Sequence, residues 1–200
     1  SERTKKIKLY FSNELEKFYN ERKDASYLFH EIKKNIEYKG RHIERQFKSI
    51  WKSENKYYSY FDKIIANNAK IYDIGCGYGF LSCFLYLRSN KRLIIGIDND
   101  INKVNIANEY FMFQNIENLK FKEKNINNFK VDNADTIIIN LNIKIKVSFL
   151  ENCIKNLNNN GMIIIFNSKE KNNKLNYISE DLISKYSLKI DSQDISSNKA

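Results

Sequence analysis

The feature that most constrains this chain is the run Asp73-Ile74-Gly75-Cys76-Gly77-Tyr78-Gly79. Glycines at alternate positions let a backbone turn sharply and come close to a ligand. The flanks supply the setting. Residues 71–74 read as a short strand, and residues 79–87 as a helix. A helix that opens there offers free N–H groups to an anion or another polar ligand. Dinucleotide-binding loops are spaced G-x-G-x-x-G. Here the third glycine comes one residue early, and position 80 is Phe.

A second signal lies in Gly96-Ile97-Asp98-Asn99-Asp100. The continuous apolar run 93–97 has the character of a strand buried on both faces of a parallel sheet. Asp98 ends it, 19 residues after Gly79. A carboxylate at that distance is placed to accept both hydroxyls of a ribose. Loop, acid, strand order and spacing together predict a nucleotide-type ligand at the carboxyl ends of the strands.

The rest of the chain keeps the rhythm. Residues 102–113 read as a helix, 119–122 as a weak strand, 136–141 as a strong strand and 147–157 as a helix. Residues 158–161 read as a turn, 162–166 as a strand, 179–186 as a helix and 188–191 as a last short strand. This alternation predicts an α/β fold, a doubly wound sheet with helices on both faces. Upstream, residues 7–66 read as helices. Asn13 with Glu16 makes a capping-box pattern. Leu28, Ile32 and Ile36 recur every four residues, and Ile43, Phe47, Ile50 and Trp51 resume after a break at Lys39-Gly40. The expected organisation is a helical extension over 1–66 and a core over 67–200.

Charge is uneven. Residues 1–70 carry 17 basic and 10 acidic side chains, a net +7, and the remaining 130 carry 17 and 14, a net +3. Attraction to phosphate, an acidic carrier or a membrane face is one reading. A solvated helical surface is the other. Lys, Asn, Ile, Tyr and Phe are abundant while Gly is 6 and Pro is 0, a bias that A/T-rich codons would produce. The three cysteines, at 76, 83 and 153, match no metal spacing, so no metal site is expected, and a reduced cytoplasmic setting is. No apolar run approaches the roughly 20 residues of a membrane span. The opening residues lack the apolar stretch of a secretory signal.

The spacing of Asp73, Gly75, Cys76, Gly77 and Gly79, with Asp98 after the next strand, resembles the class I methyltransferases. That resemblance implies a Rossmann-like sheet that binds S-adenosylmethionine and releases S-adenosylhomocysteine. It implies that Asp98, with Asn99 beside it, holds the ribose. It also places Asn125 where the family usually carries an acid that accepts from the adenine amino group. Ile126 then offers its N–H to the ring, and Asn140 closes the site after the fourth core strand. An antiparallel seventh strand normally completes such a sheet, and this chain reaches Ala200 about where it would begin.

A narrower resemblance spans residues 28–198. It rests on Tyr38-Lys39-Gly40 with Glu44, on residues 73–82, 96–100 and 105–108, and on 175–179 and 196–198. These resemble bacterial, mainly Bacteroidetes, methyltransferase domains fused to or beside glycerol-phosphate-type acyltransferases. That group implies a small-molecule or lipid-linked acceptor. It tends to carry an Asp and a His after the fourth core strand, where this chain has Asn140-Leu141-Asn142-Ile143-Lys144.

Positioning supplies much of the acceleration in such an in-line displacement, and a base is needed only if the acceptor holds its proton. The candidates are Tyr38, His42 and Glu44, with His30 nearby, all around the Lys-Gly break. Two alternatives stay open. The basic N-terminal third suits an RNA methyltransferase, although no Asn-Pro-Pro-Tyr motif exists and no Cys is placed just after the fourth core strand for attack on a pyrimidine. Asn125 and the 140–144 run suit a module that binds the cofactor without catalysis.

Overall fold

A computed structural model describes residues 6–10, 45, 58–112, 117–140, 146–166, 180–186 and 189–193. Among the described residues seven strands form one sheet. They are β1 (Lys6–Tyr10), β2 (Lys70–Ile74), β3 (Leu93–Asp98), β4 (Leu119–Glu123), β5 (Ala134–Asn140), β6 (Leu157–Phe166) and β7 (Lys189–Gln193). Their order is β4-β3-β2-β5-β6-β1-β7, and every pairing is parallel. Among the described residues Arg45 is helical, and the longer helical stretches are α1 (58–64), α2 (Phe80–Arg88), α3 (Ile101–Met112), α4 (Val147–Lys155) and α5 (Glu180–Lys185). A 3₁₀ turn spans Ile126–Asn128.

The isoleucine runs explain why the sheet is covered on both sides. Successive strand residues point to opposite faces. Ile138 and Ile164 therefore join one core, with Phe61 of α1, Phe84 of α2 and Ala107 of α3. Their neighbours Ile137, Ile139, Ile163 and Ile165 join the other, with Phe149 and Cys153 of α4. Both faces are dry, as a parallel sheet requires. The doubly wound α/β fold read from the sequence is the one that forms.

Two expectations need correction. Residues 6–10 were expected in or just ahead of a helical extension, but Lys6–Tyr10 is a strand, paired with β6 on one side (Lys6 opposite Met162) and β7 on the other (Lys6 opposite Lys189). Lys-Ile-Lys-Leu alternates with period two, and the long helical rhythm that follows it masked so short a signal. A strand from upstream thus continues the sheet beyond β6, and among the described strands none is antiparallel. Residues 158–161, expected as a turn, belong to β6 instead. They make an excursion within it: Ala134 pairs with Leu157 and Thr136 already with Met162. Asn160 takes a φ of 63° there, a left-handed conformation that Asn tolerates better than most residues.

Candidate functional site

β2 has β3 on one side and β5 on the other, and the chain winds outward from it in both directions. In such sheets ligands bind outside the carboxyl ends of the strands at this switch point. The glycine loop lies there. Gly75 and Cys76 both donate their N–H to the Ile97 carbonyl, at 2.8 and 3.1 Å, so the loop is tied to the end of β3. Gly79 donates to Cys76 O at 2.9 Å and leads into α2. Gly75, Gly77 and Gly79 have φ of 79°, 56° and 75°, values that penalise any residue with a Cβ.

The glycines differ in what surrounds them. A Cβ on Gly79 would lie 2.4 Å from the Phe121 ring, whereas one on Gly77 would meet nothing within 4 Å. Gly79 is thus packed against Phe121, and Gly77 faces open space that a ligand can occupy. Asp98, 6% exposed, stands beside it. Its Oδ2 accepts the Gly77 N–H at 2.8 Å and its Oδ1 accepts the Asp100 N–H at 3.0 Å. An ionised carboxylate has about four acceptor positions, so each oxygen keeps one for a hydroxyl. Asp100 in turn caps α3 by accepting from Asn102 N at 3.1 Å.

Asp73 is buried, and its Oδ2 accepts the Ser82 hydroxyl at 2.6 Å. Ser82 is fully buried in α2. Its role was not legible in advance, although a lone hydroxyl within the apolar run of α2 was a usable signal. Cys76 lies between the two carboxylates. Burial first, then Asp73 and Asp98, push its thiol well above the ordinary cysteine range, so it is held as a neutral SH.

The remaining expected residues fall at the same edge. Asn99 is exposed after β3, and Asn140 ends β5 half-buried. Asn125 caps the 3₁₀ turn, its Oδ1 accepting from Asn127 N at 3.1 Å, and Ile126 is buried behind it. Asn127 reaches the next connection, accepting from Lys146 N at 2.8 Å. The ends of β2, β3, β4 and β5 thus bring together all the expected cofactor residues. Tyr38, His42, Glu44 and His30 lie outside the described residues.

Fold and site define a doubly wound α/β protein with a glycine-rich loop at its switch point. Residues 65–196 match a methyltransferase-domain family, and the chain belongs to that family. That family is described as a methyltransferase domain. The ribosomal protein L11 methyltransferase of Clostridium botulinum (strain Eklund 17B / Type B) is 25% identical over 103 residues, 52% of this chain and 33% of that protein. That of Clostridium perfringens (strain 13 / Type A) is 26% identical over the same length. The chain thus spans about a third of the length of these curated relatives. Coclaurine N-methyltransferase, bound to N-methylheliamine and SAH, superposes with a TM-score of 0.51 at 17% identity over 56% of this chain and 35% of that one. At that identity it speaks for the fold alone. Among the described residues no helix is long and apolar enough to cross a membrane.

Proposed function

We propose that this domain transfers a methyl group from S-adenosylmethionine to a small-molecule or lipid-linked acceptor. The observation that carries the cofactor half is Asp98, buried at the end of β3 with one acceptor position left on each oxygen, beside the open space at Gly77. In this reading Asp98 takes the ribose hydroxyls, with Asn99 flanking them. The backbone of Gly75, Cys76, Gly77 and Gly79 lines the cofactor. Asn125 and Ile126 meet the base, and Asp73 and Asn140 border the methionine end.

The cofactor supplies a methyl on a sulfonium, which departs as a neutral thioether. The protein's part is to hold donor and acceptor in line and dry. The fixed negative charge of Asp73 and Asp98 favours a cationic cofactor over its neutral product. Tyr38, His42 and Glu44 are the candidates to take a proton from an acceptor that carries one. The acceptor class rests on the likeness of Tyr38-Lys39-Gly40 with Glu44 to the acyltransferase-linked methyltransferases. The residues from 11 to 66 are proposed as the extension that carries them.

A second reading has an observation of its own. The net +7 of residues 1–70 suits an RNA acceptor, and the L11 enzymes, by name, point to a ribosomal protein acceptor. Calorimetric titration with S-adenosylmethionine and S-adenosylhomocysteine should show micromolar binding that Asp98→Ala loses. Radiolabelled methyl transfer into lipid and small-molecule, RNA and protein fractions of a cell extract then separates the acceptors. Label in RNA alone would replace the acceptor half of the proposal. Binding without transfer to any fraction would leave a cofactor-binding module.

A further inference from the structure

Gly96 has no positive φ to explain it, yet a Cβ there would lie 2.5 Å from Phe121 Cδ1 and 3.0 Å from Cys76 Sγ. Gly96 and Phe121 are register partners across β3 and β4. The ring therefore lies over the bare backbone of Gly96, in the space its missing side chain would fill, and continues to Gly79. There its Cε1 and Cζ stand 2.4 and 2.5 Å from where a Cβ would be. Cys76, in the middle of the loop, borders the same gap through its Sγ. One aromatic ring thus touches the strand beneath the loop and the loop's exit into α2. Phe121 is itself held: it is 6% exposed, and its carbonyl accepts from Asn108 Nδ2 of α3 at 3.2 Å.

We propose that Phe121 is a positioning residue of the glycine loop. Its ring, laid across Gly96 and against Gly79, sets how closely Gly75–Gly79 seats on the sheet, and through that the affinity for the adenosyl cofactor. The affinity half rests on the function proposed above; the seating half does not. The ring meets the loop at Gly79, so it acts through the loop's backbone. Gly96, with no positive φ, is needed because the ring fills the space beside it, and at Gly79 the ring adds to a requirement that the positive φ already sets.

Cys76 provides a reporter independent of any ligand. It is half-buried at the seam, whereas Cys83 and Cys153 are buried at 3% and 0% exposure. A thiol reagent at mildly alkaline pH, with the labelled residue located by mass spectrometry, reads how often the loop lifts. Phe121→Leu should speed Cys76 labelling about tenfold. Phe149→Leu, at an equally buried aromatic in the opposite core, should lower the melting temperature comparably and leave the labelling rate within about twofold of wild type. Gly96→Ala should also speed labelling, and the double variant Gly96→Ala/Phe121→Leu should label more slowly than Gly96→Ala alone, because the smaller side chain makes room for the methyl. Equal rates in Phe121→Leu and Phe149→Leu would overturn the seating role, as would a double variant no slower than Gly96→Ala. S-Adenosylhomocysteine should slow labelling of the wild-type chain. If it does not, the cofactor reading fails, while the variant rates still judge the seating role. If it protects wild type and Phe121→Leu at the same ligand concentration, the link to affinity is withdrawn.

Discussion

The two edges of the sheet treat buried charge in opposite ways. At the amino-terminal edge, Arg92 is fully buried and every one of its donors is matched. Nε bonds Ala66 O at 3.1 Å. Nη1 bonds Asp62 Oδ1 at 2.7 Å and Leu85 O at 3.1 Å. Nη2 bonds Asp62 O at 3.1 Å and Ile65 O at 2.7 Å. This guanidinium ties the end of α1 to α2 and β3 and has nothing left to offer a ligand. At the carboxyl edge, Asp98 is nearly as buried but retains acceptor capacity, and Gly77 beside it faces open space. Saturation marks the structural charge, and spare capacity beside a gap marks the binding one. Burial alone would not have told them apart.

The difference can be broken from either side. Arg92→Ala should have the largest effect, a loss of about 3–5 kcal/mol, because it empties a fully buried site, leaves several carbonyls without their donor and leaves the Asp62 carboxylate to Arg88 alone. Urea unfolding measures it, and protein that remains folded should keep wild-type affinity for S-adenosylhomocysteine. Asp98→Ala should show the reverse, with binding lost at a smaller stability cost. If both variants lose stability and affinity in the same proportion, the two edges do not differ as described. Ser82→Ala comes next. It removes the hydroxyl donated to Asp73, and an under-satisfied buried carboxylate costs about 1–3 kcal/mol. Gly77→Ala should cost about 1–2 kcal/mol from its positive φ, with no clash to add, while its methyl enters the gap and weakens cofactor binding. A Gly77→Ala chain that binds as tightly as wild type would show that the gap is not where the cofactor lies.

The carboxyl edge was more legible in the sequence than the amino edge. The glycine loop is a local pattern, the isoleucine strands are local patterns, and Asp98 follows from counting along one strand–helix–strand unit. Arg92 and Asp62 are 30 residues apart and Phe121 and Gly96 are 25 apart, so their partnership leaves no periodic trace. Asp73 and Ser82 lie on two element types with different periods. β1 was missed because its five residues acquire their meaning only from β6 and β7, far along the chain. The excursion in β6 reads locally as an Asn- and Gly-rich turn ahead of a strand at 162, but pairing already begins at Leu157, a partnership with Ala134 that no local pattern carries. Tyr38, His42 and Glu44, the acceptor-side candidates, lie outside the described residues.

Between the two edges lies a core with no provision for charge, and pH can test it. Cys153 is fully buried on the inner face of α4, and burial pushes its thiol from 9.0 up to about 12. Cys83, equally enclosed behind the loop, is raised further for the same reason. A raised folded-state value means that the neutral thiol is bound more firmly in the native state than in the unfolded chain. Its contribution is therefore fully present below pH 9 and falls as the unfolded chain ionises between pH 9 and 12. For one such group the loss at pH 10 is roughly 1 kcal/mol, smaller than any effect expected from Arg92. Lysines and tyrosines titrate in the same range, so the informative quantity is a difference. Urea midpoints at pH 8 and pH 10 should drop less in Cys153→Ala than in wild type, whatever the small cavity does to both. Equal drops would mean that solvent reaches Cys153 and that charge is tolerated in the core. The contrast between the edges would then reflect local partners alone, and not the dry sheet that separates them.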